Sequence, residues 1–307
     1  MKYHEITGGL QFPEGPIYCS DGTLLVVEIA RGTLTRVHMD GRQEIVAALG
    51  GGPNGAAIGP DGCCYVCNNG GYTWVKEDGC LRPAGILNPK HYSGASIQKV
   101  NLSSGKIEKL MTHSDLGPLA GPNDIAFDAT GGYWFTDTGK AWKTEQSRGA
   151  VHYVHAGMNN ASTPLHPLVM PNGVGLSVGD EELFVAETVT GRLWAFALTG
   201  PGEVARLPWP SPTSGRLVVG LSGLQNMDSL ALDAMGNIIV GTLMSGGLTV
   251  ISPDGKILDF IELDDPYVSN ICFGGDNYKT AFVTLSYTGR VIAIDWPEAG
   301  LSLPFSI

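Results

Sequence analysis

Six residues able to offer oxygen to a hard cation recur along the chain, each just ahead of an alternating apolar segment that runs into a tight turn: Glu14, Asn54, Asn123, Asn172, Asp228 and Asn270. Glu14, Asn172 and Asp228 supply two carboxylates and one amide oxygen, an oxygen-only set suited to a hard divalent cation. Their two negative charges would balance such an ion. Asn123 adds a further amide, either as a direct ligand or through water. An isolated Asn-Gly or Asp-Ser ordinarily forms a turn. Turn formation does not account for six such residues in register, two of them acidic, because carboxylates gathered out of water repel one another unless a cation or a proton neutralises them. The pattern therefore predicts one divalent metal cation. Calcium is the first choice for an all-oxygen set, with zinc, manganese, magnesium and ferrous iron as alternatives.

The segments that must position these residues read EGPIYCSDG, NGAAIGPDG, NDIAFDATG, NGVGLSVGD, DSLALDAMG and NICFGGDNY, and in four of the six a Gly falls eight positions after the polar residue. Each is followed by a second apolar stretch and often a third. Several short strands repeated at this period predict an all-β fold, a six-bladed β-propeller with four-stranded antiparallel blades around a central channel. The repeats run from end to end, so residues 1–307 read as a single domain, with blades at about 10–49, 50–113, 114–167, 168–208, 209–260 and 261–296. The polar residues start the inner strands and converge on one mouth of the channel. Alternation sends Ile125 and Phe127, Val174 and Leu176, or Leu230 and Leu232 to one face. A short strand from Tyr3 to Thr7 is expected to pair into the last blade and close the ring, and the tail LSLPFSI to form an ordered cap. Insertions between second and third strands, Gly70 to Ser96 and Thr138 to Gly149, should overhang the polar cluster. Trp74, Tyr92 and Trp142 on these loops are candidates for pocket walls.

Composition narrows the function classes. The 307 residues carry a formal charge of −11 without any cluster of Lys or Arg, so nucleic acid and anionic membrane are poor partners. The first residues contain no apolar segment of a secretion signal, and no stretch is long enough to span a bilayer, which points to a cytoplasmic protein. Cys63, Cys64 and Cys67 lie on one extended strand where neighbours point apart, and no second pair matches them; a zinc knuckle is rejected. His152 and His155 fall on opposite faces of a strand. A GxSxG elbow is absent and Ser229 has no evident His partner, which argues against a serine hydrolase.

The series EGP at 14–16, PND at 122–124, PNG at 171–173, the aspartate of MDSLALDAMGN at 227–237 and NICFGG at 270–275 resembles the gluconolactonase, senescence-marker-protein (regucalcin) and luciferin-regenerating-enzyme family over essentially the whole chain. That resemblance implies a six-bladed propeller lactonase with one divalent metal in the channel, held by Glu14, Asn172 and Asp228. It also implies that Asn123 binds metal or substrate and that Asp228 is the catalytic base, with nucleophilic attack by Asp228 left open. Asn54, Asn270 and Ser229 are expected to contact a small-molecule lactone. Two departures stand out: sugar-lactone members commonly place an Arg where this chain has Gly121, and many have Gly where it has Ser229, a variant associated with broader lactonases of the drug-responsive type. The reaction expected is attack of water on the lactone carbonyl, with the cation polarising the carbonyl and Asp228 relaying the proton to the departing ring oxygen. The alternatives are a phosphotriesterase-type hydrolase or a cyclase on the same scaffold, or a calcium-binding interaction propeller without chemistry. The oligomeric state is not legible.

Overall fold

Four of the six inner strands open on a proline, Pro13, Pro53, Pro122 and Pro171, at the first strand position, where a missing N–H is tolerated. These strands span Pro13–Tyr18, Pro53–Ile58, Pro122–Phe127, Pro171–Leu176, Asn226–Leu232 and Val268–Gly274 in a computed structural model that describes residues 2–307. Each begins an antiparallel sheet, and the six sheets form a six-bladed β-propeller. The marked polar residue is the second or third residue of its strand. At or beside that residue the pairing register shifts in every blade: between Glu14 and Ile17, Pro53 and Ala56, Pro122 and Ile125, Pro171 and Val174, Met227 and Leu230, and Val268 and Asn270. A bulge frees two consecutive residues from strict alternation and re-aims their side chains. Six bulges at one level build the mouth of the channel.

Ring closure follows the sequence expectation. Tyr3–Thr7 pairs antiparallel with Arg290–Asp295, Tyr3 opposite Ile294, and so the N-terminal strand completes the last blade. One boundary differs. The outer strand of blade four is Arg216–Gly220, beyond position 208, and it pairs with the long strand Arg192–Gly200. A stretch rich in Pro and Ser separates the two strands, which is why Arg216–Gly220 reads as the beginning of the next blade.

The apolar interior is divided into six cores, one at each junction between blades. Between blades six and one, for example, Phe282, Val291 and Ala293 pack against Leu24 and Val26, and all five are buried. Each Leu, Val or Phe removed from water there contributes about 1.5–3 kcal/mol. Below the ring of polar residues, a chamber of about 480 Å³ is lined by Ile17, Ile58, Phe127, Leu176, Leu232 and Phe273 and closed by the C-terminal residues Leu301 to Ser306. The tail is thus an ordered cap at the apolar end. Among the described residues no helix is long and apolar enough to cross a membrane.

Candidate active site at the channel mouth

Glu14 is 2% exposed, and its Oε2 accepts from Asn270 Nδ2 at 2.6 Å and from the Gly15 N–H at 2.7 Å. Asn270 is fully engaged, since its Oδ1 also accepts the Ile271 N–H at 2.7 Å. Its place is behind Glu14, fixing the carboxylate. Asn172 is held by its amide nitrogen, which donates to Thr188 Oγ1 at 3.1 Å, and this turns Oδ1 toward the channel, where Ser229 Oγ lies 3.4 Å away. Asp228 stands beside the Asn172 amide and within the field of Glu14 and Asp124, retaining some exposure toward the mouth. Asn54 is buried at the same level, its carbonyl oxygen against Gly15. The carbonyl oxygen of the Asn123 side chain is buried and has no hydrogen-bond partner. An orphaned buried acceptor is costly, about 1–3 kcal/mol, unless a cation, water or substrate completes it.

Among the described residues, no three acidic, histidine or cysteine side chains gather into a metal cage. A cation here must take amide oxygens as well as carboxylates. Glu14, Asp228, the oriented Asn172 Oδ1 and the orphaned Asn123 Oδ1 offer that mixed oxygen set, which fits a hard dication.

Sequence reading overlooked Asp124. Its carboxylate is buried and accepts from the N–H groups of Ile125 at 3.0 Å and Val174 at 3.2 Å. Strand alternation assigns it to the face opposite Asn123; the register shifts between Pro122 and Ile125, and Asp124 lines the chamber below the ring while remaining in the field of Glu14 and Asp228. Burial, then the neighbouring Glu14, pushes the Asp124 carboxyl up to about 7. Burial also raises Glu14, and burial followed by the charges of Glu14 and Asp124 raises Asp228 well above the usual carboxylate range.

The sign of the linkage is fixed by these raised values. For Asp124 the stabilising effect of the proton is full below the ordinary value of 3.8 and is lost as pH rises through about 7. Glu14 and Asp228 are raised as well, and a dication competes with the proton for their oxygens, so its own stabilisation must grow as pH rises. The increase in Tm caused by calcium, relative to chelator, is expected to be larger at about pH 8 than at about pH 5.5. Scanning fluorimetry checks this, and an increment independent of pH would refute titration of the cluster by metal.

An aromatic rim surrounds the oxygens. Phe12, two residues ahead of Glu14, packs against Trp74 at 5.1 Å and Tyr267 at 5.6 Å, and Trp74 meets Tyr72 edge-on at 6.0 Å. Tyr92 and Trp142 meet edge-on at 5.4 Å, and the Tyr92 hydroxyl donates to the Ala120 carbonyl at 3.1 Å. Tyr92 is thereby an anchor for the long insertion, Trp142 is 37% exposed at its outer side, and Trp74 lies nearest the Glu14 side of the mouth. The two insertions are pinned together through the Ile86 N–H and the Ala141 carbonyl at 2.8 Å. Sequence reading missed Phe12 and Tyr267, while Tyr72 lies on the insertion expected to overhang the cluster; the odd backbone of Phe12, at φ 58°, has no sequence signature. Met170, two residues ahead of Asn172, has φ 50°. Left-handed non-glycine residues cost about 1 kcal/mol or more, and two of the eight among the described residues stand beside expected ligands. At Gly121 the space for any side chain is taken by the Gly139 carbonyl and Thr138 Oγ1.

Other candidates lie elsewhere. His152 is buried, paired with Thr163 Oγ1 at 3.0 Å and set against Phe135, whereas His155 is exposed. The six cysteines are unpaired thiols, and burial raises five of them, Cys19, Cys63, Cys64, Cys67 and Cys272, which keeps these protonated at neutral pH.

Residues 12–287 match the family described as SMP-30/Gluconolactonase/LRE-like region. The lactonase drp35 of Staphylococcus saprophyticus is 26% identical over 256 residues, covering 81% of this chain and 70% of that protein. The gluconolactonase of Zymomonas mobilis is 24% identical over 320 aligned positions, covering 92% of this chain and 78% of that protein. Among solved structures, the calcium-binding protein regucalcin of Agrobacterium tumefaciens superposes with a TM-score of 0.76 at 16% identity, covering 99% of this chain and 98% of that one. At that identity the likeness is one of fold.

Proposed function

This chain belongs to the SMP-30/gluconolactonase/LRE-like family, and from that premise we propose that it is a lactonase, opening the ring of a small cyclic ester by adding water, with a divalent cation held by Glu14, Asn172 and Asp228 and approached by Asn123. The observation that carries the reading is the orphaned, buried Asn123 oxygen in a ring of inner-strand starts that also carries two raised carboxylates. When bound, a dication there supplies Lewis acidity to the lactone carbonyl and lowers the pKa of nearby water.

The remaining work belongs to the protein. Asp228 accepts a proton from the attacking water and returns it to the ring oxygen as the C–O bond breaks, so that one water and one lactone give one hydroxy acid. Burial and then Glu14 raise its pKa in the metal-free protein, and a bound cation would draw it back down, so that Asp228 would be ionised and ready to take the proton near neutral pH. Asn270 and the Gly15 N–H hold Glu14 in place, and Thr188 and Ser229 orient Asn172. Such held groups need little reorganisation during reaction. Phe12, Tyr72 and Trp74 offer flat apolar faces to the ring and exclude bulk water on that side.

A pH-stat assay over aldonolactones, alkyl γ- and δ-lactones and aryl phosphotriesters tests the proposal. Ring opening of at least one lactone is expected, lost with chelator and restored by a divalent metal. If no lactone opens with any of calcium, zinc, manganese, magnesium or ferrous iron, the proposal fails.

A further inference from the structure

Lys140 has no place in the reaction as derived above, and its surroundings are unusual. It is 3% exposed, yet no carboxylate pairs with its ammonium among the described residues. Nζ donates to the Asn69 carbonyl oxygen at 2.5 Å, has Asn69 Oδ1 at 3.4 Å, and sits over the Tyr72 ring at 4.1 Å and the Tyr92 ring at 5.3 Å. The nearest acid, Asp137, is engaged by the N–H groups of Ala120, Gly121 and Gly139, each at 2.8 Å. A buried cation without a counter-ion is expensive. Burial draws Lys140 down to about 7, with Asp137 only partly opposing it.

Asn69 supplies the second observation. It is 0% exposed; its Oδ1 accepts the Gly71 N–H at 2.8 Å, and its Nδ2 has no partner. The backbone N–H of Asn69 donates to Gly52, two residues ahead of Asn54, which sets this amide at the level of the oxygen ring. Tyr72, beneath the ammonium, extends its hydroxyl into the field of Asp228, Asp137 and Glu14. A cation, an unpaired amide N–H and a phenol therefore gather on one side of the mouth. The ammonium has only the neutral oxygens of Asn69 as acceptors, and no anion among the described residues pairs with the set.

We infer that Lys140, with Asn69 Nδ2 and Tyr72, forms a subsite for an anionic substituent, and that the lactone opened by this protein carries a carboxylate. This rests on the lactonase reading above. One lysine and one amide match a monoanion, and the carboxylates of Glu14, Asp124 and Asp228 disfavour a second negative charge on the same ligand. The substituent supplies the counter-charge that Lys140 lacks, and its desolvated contact makes the preference a matter of binding. The closed space at Gly121 leaves Lys140, from the following loop, as the cation on this side of the mouth.

The test compares γ-carboxy-γ-butyrolactone with its neutral carboxamide, on metal-loaded wild type and Lys140→Met. Wild type is expected to favour the carboxylate by about tenfold or more in kcat/KM, mainly through KM, and Lys140→Met to bring the ratio near one, with Lys140→Arg restoring part of it. The wild-type ratio needs no variant and so stands even if the variants fold poorly. A ratio near one in wild type, or a preference that survives in folded Lys140→Met, overturns the inference. If neither lactone opens, the lactonase reading is decided by the wider panel above, and calorimetry with the unopened γ-carboxy-γ-butyrolactone decides the subsite alone. Binding to wild type that weakens about tenfold in Lys140→Met supports it; absent or unchanged binding overturns it.

Discussion

Asp228→Asn is expected to lower kcat for lactone opening by at least about a thousandfold at saturating metal, within the range a positioned proton-transfer group contributes. The same substitution is expected to raise the Tm of the metal-free protein at about pH 8. Both effects have one origin. In the folded protein the Asp228 carboxylate is disfavoured first by burial and then by Glu14 and Asp124, so its ionised form is stored at a cost to stability. The amide has the same shape, keeps a hydrogen-bonding partner for Asn172, and removes the repulsion together with the base. A carboxylate that merely braced the fold would give the opposite pattern: little change in rate and a lower Tm. Calcium should stabilise the variant less than wild type, because one ligand charge is gone. Turnover within about tenfold of wild type, with the variant folded and metal-saturated, would remove Asp228 from the chemistry.

The ring of six was legible because each of its parts is local. Gly turns, alternating apolar runs and the polar residue ahead of them recur within a few residues of one another. Convergence of Glu14, Asn172 and Asp228 then follows from symmetry alone. Asp124 was not legible, since strict alternation turns it away from Asn123 and nothing local announces its burial in the field of Glu14. Lys140 and Tyr72 lie on the insertions expected over the cluster, but Asn69 and the contacts among the three escaped for another reason. Insertions have no period, and the contact between Lys140 and Asn69 spans 71 positions of sequence that no local pattern links. Asn270 shows a subtler failure: its level in the ring was legible, but its engagement with Glu14 depends on which neighbour its amide reaches. Residue types were thus informative where backbone symmetry positions them, and uninformative where side chains choose among partners.

Gly173 ties fold to site, and Gly173→Ala carries the second large effect. A Cβ there would stand 2.7 Å from the Asp228 carbonyl oxygen, 2.8 Å from Ser229 Cα and 2.9 Å from the Leu230 nitrogen. All three belong to the backbone of the next blade, so no side chain can swing away. Gly173 lies outside the positive-φ glycines, so its conformation suits alanine, and the reduced freedom of the unfolded chain would by itself stabilise by about 0.4–1 kcal/mol. Overpacking of a close-packed contact costs about 1–3 kcal/mol and wins. The expected fall in Tm is roughly 3–8 °C. Forcing the two inner strands apart also moves Asn172 from Asp228, so calcium affinity should drop by about tenfold or more, a loss comparable to disturbing the support of a metal ligand. Gly220→Ala is the control, because the nearest atom to its added Cβ is the Arg192 Cγ at 3.9 Å, and its Tm should match wild type. If Gly173→Ala melts and binds calcium as wild type does, the glycine after Asn172 serves only a turn, and the close approach of blades four and five does not set the spacing of the oxygens.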